Sequence, residues 1–265
     1  MKSFYVVPTP IGNLDDLTFR AKAVLEAVDI IFCEDTLHST KLVRKYNKKA
    51  KLISLHKFNE LSRIEEILKL LETNDIALIS DAGTPTINDP GQLLIKELVS
   101  KEIKIIPLPG ANAITTAISG SGLEFASFTF IGFFPRKENQ LKEIIYKHLN
   151  VDLIVGYESP NRINKTLEIL FTTFGDLEVC LARELTKLHE EILTTKISLL
   201  KEKTFKGEIV LLIPTSQIMI EETTLEDLIK IYQQENLSNK AIVNIISKTT
   251  KFKKNQIYER LKKDE

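Results

Sequence analysis

Four acids stand where apolar runs give way to polar residues: Glu34, Asp35, Glu158 and Glu184. A carboxylate at a strand end can accept a hydroxyl proton, or it can cap the helix that follows. Arg162 and Arg183 lie beside two of these acids, where a guanidinium can anchor a phosphate or a carboxylate. The loops around them read PTPIGN (8–13), ISDAGTPTINDPG (79–91), PGAN (109–112) and YESPNR (157–162). Gly, Pro and small polar residues at strand ends recognise a ligand through backbone groups, and Pro85 and Pro90 stiffen the longest of these loops. No GxGxxG, GxxxxGK[ST] or GxSxG is present, which argues against a dinucleotide cradle, a P-loop and an α/β-hydrolase elbow. The four histidines form no HxxxH or HxH pair, so no metal site is expected. The loops suit a ligand of apolar, aromatic and zwitterionic character better than a triphosphate.

The elements that must position these loops alternate. Apolar runs at Ser3–Val7, Val28–Cys33, Lys51–Leu55, Asp75–Ile79 and Lys104–Leu108 predict strands. Helices are expected between them at Phe19–Ala27, His38–Tyr46, Ile64–Glu72 and Gln92–Val99, the third capped by Asn59 or Ser62. Such alternation predicts a mostly parallel sheet covered on both faces, with the loops at the carboxyl ends of the strands forming a crevice. A second α/β pass follows. Strands are expected at Ser127–Phe133, Val151–Tyr157, Glu178–Ala182, Glu190–Ile197 and Glu208–Ile213, with helices at Ala113–Ser119, Gln140–Leu149 and Ile163–Phe174. This second sheet is expected to mix parallel and antiparallel pairing. The predicted organisation is an N-terminal α/β domain over 1–112, a second over 113–216, and a helical piece over 223–265 built from Leu225–Gln234, Ser238–Ser247 and Lys254–Lys263.

Length and composition bound the class. The chain has 265 residues, 43% of them hydrophobic, with 36 Lys plus Arg against 36 Asp plus Glu. Global charge therefore gives no steer toward nucleic acid, but local charge does. From Ser238 to Lys263 there are eight basic residues (240, 248, 251, 253, 254, 260, 262, 263) against Glu259, a local net of +7. That balance predicts a nucleic-acid contact surface, resembling helix-turn-helix in layout. Lys41, Arg44, Lys45, Lys48, Lys49 and the FPRK segment are expected to add to it. Cys33 and Cys180 sit in apolar runs with no CxxC, as expected of buried reduced thiols. No apolar run reaches the roughly 18 residues of a membrane helix, and the N-terminus does not read as a signal peptide, so a cytoplasmic protein is expected.

Taken together, the motifs resemble the tetrapyrrole (class III) S-adenosylmethionine methyltransferase family. The likeness rests on VPTPIGNLDDLTFRA, CEDT (33–36), SLHKFNE (54–60), ISDAGTPTINDPG, PLPGANA (107–113), FxFIGFFPRK (128–137), YESPNRI (157–163), LARELTKLHEE (181–191) and GEIVLLI (207–213). Within that family it is closest in pattern to members that modify small-subunit ribosomal RNA. One departure is Leu37, where that group usually carries Arg; Arg44 or Lys41, a turn on, is the candidate replacement.

The resemblance implies two α/β domains of the tetrapyrrole methylase fold with the cofactor cleft between them, a basic helical appendage, and a homodimer. It implies methyl transfer from S-adenosylmethionine to a cytidine ribose 2′-hydroxyl in the decoding region of 16S ribosomal RNA. It places the cofactor against Pro10, Ile11 and Gly12, against Asp81, Gly83, Thr84, Pro85 and Ile87, and against Ala111, Asn112 and Ala113. Tyr157, Arg183 and Gly207 are expected on the adenine side. Of the acids, Glu34 and Glu184 are the candidates for the proton acceptor. Two alternatives stay open: a precorrin-type methyltransferase, and a non-catalytic RNA-binding assembly factor.

Overall fold

A computed structural model describes residues 2–218, 225–250 and 252–262. They fall in two compact units, Met1–Thr116 and Ala117–Glu265. In the first, β1 (Phe4–Val6), α1 (Phe19–Ala27), β2 (Ile30–Cys33), α2 (Thr36–Tyr46), β3 (Lys51–Ser54), α3 (Ile64–Leu70), β4 (Ile76–Leu78), α4 (Gln92–Ser100) and β5 (Ile105–Pro107) alternate; α5 (Ala113–Gly120) begins there and ends in the second. The five strands form a parallel sheet in the order β3-β2-β4-β1-β5.

Strand periodicity explains why both faces are covered. Ile30, Phe32, Ile76 and Leu78 pack on one side with Ile67, Leu94 and Leu98 of α3 and α4. Ile31, Cys33, Ala77 and Ile79 pack on the other with Ala21, Leu25 and Val43 of α1 and α2. The chain therefore leaves β1 toward one face and leaves its neighbour β4 toward the opposite face. Adjacent strands whose connections diverge in this way make a switch point, where open α/β sheets place their ligand crevice.

The start of α3 differs from expectation. A 3₁₀ turn, Leu61–Arg63, precedes it, and Arg63 at the N-cap makes no side-chain cap. Asn59 instead closes its own loop, its Oδ1 accepting from His56 N (2.8 Å), while the Ser62 hydroxyl donates to Asn59 O (2.9 Å).

The second unit carries β6 (Phe128–Phe133), α6 (Glu138–Lys147), β7 (Leu153–Glu158), α7 (Ile163–Phe174), β8 (Glu178–Arg183), β9 (Glu191–Lys196), α8 (Ile197–Leu200) and β10 (Ile209–Pro214). Its sheet runs β6-β7-β10-β8-β9, with β6 and β7 parallel and the other pairs antiparallel. Then come α9 (Leu225–Gln234), α10 (Asn239–Thr249) and α11 (Lys254–Leu261). These three helices share one core with the sheet. Leu225, Leu228, Ile229, Tyr232, Ile242, Ile246 and Ile257 are buried in the same cluster as Leu141 and Ile145 of α6. The Tyr232 hydroxyl donates to Tyr146 O (2.9 Å), and Lys147 pairs with Glu235 (2.6 Å). Lys240, Lys248, Lys253, Lys254, Arg260 and Lys262 are exposed, and Arg260 pairs with Glu226 (2.7 Å). Lys251, Lys263, residues 223 and 224 of the expected helical piece and residues 219–222 of the stretch preceding it lie outside the described residues. No helix among the described residues is long and apolar enough to cross a membrane.

Candidate functional site

In the first unit, the exits of β1, β4 and β5 are tied together. Thr9 and Gly83 exchange backbone hydrogen bonds (2.9 and 3.0 Å) as an isolated antiparallel bridge, at the switch point between β1 and β4. Ser80 Oγ donates to Gly83 O (2.9 Å), and Thr84 Oγ1 donates to Ala111 O (3.0 Å). Gly83 has φ +81°, and a Cβ there would stand 3.2 Å from Ile11 Cγ2, so a side chain at this crossing would be strained and crowded. Asn112 turns its carboxamide inward on the chain, Oδ1 accepting from Ile114 N (2.9 Å). Pro10, Ile11, Gly12, Asp81, Gly83, Thr84, Pro85, Ala111, Asn112 and Ala113 thus belong to one edge of one sheet. Ile87 is 38% exposed on the same long loop. Thr86 and Asn88 there adopt φ of 73° and 69°, a conformation L side chains rarely accept. Gln92 Nε2, donating to Thr86 O (2.9 Å), and Lys57 Nζ, donating to Asn88 O (3.2 Å), hold that backbone.

The same edge is acidic. Asp35 N donates to Asp81 Oδ1 (3.3 Å), which joins the β2 and β4 exits. The Asp35 carboxylate caps α2, accepting from Leu37 N (2.7 Å) and His38 N (3.1 Å). Those bonds, to His38 and then Leu37, hold its carboxyl below the ordinary range. Glu34 is exposed and makes no ion pair among the described residues. Asp89 is pushed up to about 6, first by burial and then by the charge of Glu34, with Lys57 opposing and Asp81 adding. Leu37, in place of the expected arginine, is 81% exposed.

In the second unit, the expected residues hold one another. Glu184 has φ 49°, and its Oε1 accepts from Lys187 Nζ (2.9 Å) and from Glu208 N (3.0 Å). These bonds, to Lys187 and then Glu208, hold its carboxyl below the ordinary range. Gly207 is what admits that side chain: at φ +84°, a Cβ would lie 2.2 Å from Glu184 Oε1. Arg183 Nε donates to Glu191 Oε2 (2.7 Å). Tyr157 packs edge-on to Phe130 (5.1 Å between centroids) and tilted to Phe133 (5.5 Å). Glu158 is buried, its Oε2 accepting from Thr166 Oγ1 (2.6 Å) and pairing with Arg162 (3.1 Å). Among the described residues no group of three or more His, Cys, Asp and Glu could hold a metal ion.

Two residues beyond the expected set shape the first unit's edge. One is Asp89. The other is Glu60, 5% exposed, whose Oε2 accepts from Leu93 N (3.1 Å) and Leu94 N (3.2 Å) at the start of α4. Glu60 thus fixes where the long loop ends. Its position in SLHKFNE is the available signal, since an acid 33 residues from its partner carries no local pattern.

A sequence model of the tetrapyrrole (corrin/porphyrin) methylases matches residues 3–201. The chain belongs to the tetrapyrrole methylase family. This methylase is 41% identical over 241 residues to the ribosomal RNA small subunit methyltransferase I of Streptococcus pyogenes serotype M3 (strain ATCC BAA-595 / MGAS315), covering 88% of this chain and 84% of that one. It is 42% identical over 229 residues to the protein of the same name from Hydrogenobaculum sp. (strain Y04AAS1), covering 83% and 98%. Among solved structures it resembles the uroporphyrin-III-C-methyltransferase of Thermus thermophilus, with a TM-score of 0.55 at 18% identity, over 80% of this chain and 92% of that one. At that identity the likeness speaks to the fold alone. The methylases of this family use S-adenosylmethionine. The first unit's edge fits such a donor: its sulfonium and ammonium are cationic, and Glu34, Asp81 and Asp89 supply negative charge beside a close-packed backbone crossing.

Proposed function

We propose that this methylase transfers a methyl group from S-adenosylmethionine to small-subunit ribosomal RNA, at the 2′-hydroxyl of a cytidine ribose in the decoding region. The observation that carries the RNA substrate is 41–42% identity, over most of both chains, to proteins named ribosomal RNA small subunit methyltransferase I. The exposed basic residues of α10 and α11 support it, since cations spaced along helices suit phosphates. A homodimer is part of the same reading.

The cofactor supplies a methyl group already activated on a sulfonium. What the chain supplies is placement. The Thr9–Gly83 bridge and the Thr84–Ala111 bond pre-set the backbone groups of three loops, so little ordering remains when a ligand arrives. Holding the hydroxyl in line with the methyl carbon is the large entropic part of such a reaction. Pro10, Ile11, Gly12, Asp81, Gly83, Thr84, Pro85, Ile87, Ala111, Asn112 and Ala113 make up the proposed cofactor contacts of the first unit. Tyr157, Arg183 and Gly207 are the proposed contacts of the second. Glu34, exposed and outside any ion pair among the described residues, is the proposed proton acceptor. Glu184 fixes the turn around Gly207.

The test is methylation of small ribosomal subunits from cells lacking this protein, with labelled S-adenosylmethionine and mapping of the label. One 2′-O-methylcytidine is expected. Label on a tetrapyrrole instead, or on no RNA, contradicts the proposal.

A further inference from the structure

The second unit contains a cavity of about 330 Å³ lined by Pro135, Arg136, Arg162, Lys165, Thr166 and Ile169. Three of the six lining residues are cations and none is an acid. The cavity is built around Arg162. Its Nη2 donates to Phe134 O and to Glu158 Oε2, and the Glu158 side chain is fully buried. Glu158 is itself fixed by Ser159 N (2.8 Å) and Thr166 Oγ1 (2.6 Å). Arg162 is therefore locked in one orientation, and its Nε and Nη1 have no protein acceptor among the described residues. A guanidinium has five N–H donors, so most of the fork remains available.

Arg136 and Lys165 are exposed and form no salt bridge among the described residues. Glu138 feels the charge of Lys165 but is taken up by Lys142 (2.7 Å). Burying one acid behind three cations leaves a net positive cavity. Pro135 and Ile169 give it an apolar wall. The volume exceeds that of a lone phosphate and approaches that of a small ligand site.

We propose that this cavity docks a backbone phosphodiester of the substrate RNA, with Arg162 as the fixed fork, Arg136 and Lys165 as mobile partners, and Pro135 and Ile169 against the flanking ribose. The inference rests on the RNA reading above and deepens it by naming where one stretch of the strand is held. A bidentate guanidinium with two further cations recognises phosphate by geometry as well as charge.

The experiment compares the full chain with the double variant Arg136→Gln/Lys165→Gln, using a short single-stranded RNA from the decoding region over a series of salt concentrations. Arg162 stays intact because it is structural. RNA affinity is expected to fall about tenfold at low salt, and the slope of log affinity against log salt to become shallower by roughly 0.7 for each phosphate no longer neutralised. Melting temperature and S-adenosylmethionine affinity should match the parent. Unchanged RNA affinity and slope, with a parent that binds RNA, overturns the pocket and leaves the function standing. A parent that binds no RNA overturns both. Titration with inorganic phosphate separates the sources: loss of phosphate binding with RNA affinity intact would assign the cavity to a free phosphate and overturn the RNA assignment.

Discussion

Asp89 is the residue on which the first unit's electrostatics can be tested most directly. Its carboxyl is pushed up to about 6 from an ordinary 3.8, first by burial and then by Glu34. The folded chain therefore holds this proton to a higher pH than the unfolded chain does. Between those two values the native state binds more protons, so the Asp89 contribution to stability falls as pH rises, and the loss is complete once pH passes well above 6. The gap corresponds to a ceiling of about 3 kcal/mol, at about 1.4 kcal/mol per tenfold. Asp89 is only partly buried, and solvent screening brings the expected effect to about 1–2 kcal/mol. Asp89→Asn removes the charge and keeps the shape. Urea denaturation at pH 5 and at pH 8 should show the variant gaining that amount over the parent at pH 8 and about half of it at pH 5, which lies between the two values. If a cationic methyl donor is drawn to this edge, the same substitution weakens its binding at pH 8, where Asp89 is ionised. A stability difference between variant and parent that is the same at both pH values would refute the electrostatic argument.

Three other substitutions or reagents and one truncation test the geometry elsewhere. Gly207→Ala places a Cβ 2.2 Å from Glu184 Oε1 at a positive φ, and should cost about 1–3 kcal/mol by urea denaturation; an unchanged midpoint would contradict the packing. Glu158→Gln leaves the Arg162 guanidinium without its buried partner; a loss of about 1–3 kcal/mol is expected, and none would show that Arg162 is held otherwise. Cys33 and Cys180 are fully buried and burial raises both thiols, so a thiol reagent should label them only as fast as the protein opens; rapid labelling of the native chain would contradict this. Removing everything from Leu225 onward should do more than lower RNA affinity: it uncovers Leu141 and Ile145 of α6, so the truncated chain should melt earlier or aggregate.

What could be read from the sequence follows from how local each signal is. The α1, α7 and α9 boundaries agree with the apolar spacing to the residue, because their ends carry local markers such as Thr18, whose hydroxyl accepts from Ala21 N, and Gly175 at φ 85°. The strands of the first sheet differ from expectation by one or two residues, since a doubly covered strand is apolar throughout and its ends are marked only by Pro and Gly. Ile197 is expected to end a strand and instead opens α8. Asp176, 22 residues earlier, accepts from Ser198 N (2.9 Å) and Ser198 Oγ (2.8 Å), and no local pattern announces such a partner. Separation in sequence likewise hides the fit of Glu184 against Gly207 and the cap that Glu60 places on α4. Composition marks residues 238–263 as basic, while the apolar stripe of α9 and α10, which roots those helices in the second unit, does not reveal which surface it meets.

The RNA of the small ribosomal subunit, at a single ribose, is the proposed target of this methylase. Mass mapping of that RNA from cells with and without the protein tests it most directly. One decoding-region cytidine should carry a 2′-O-methyl group only when the protein is present; identical methylation in both strains would contradict the proposal.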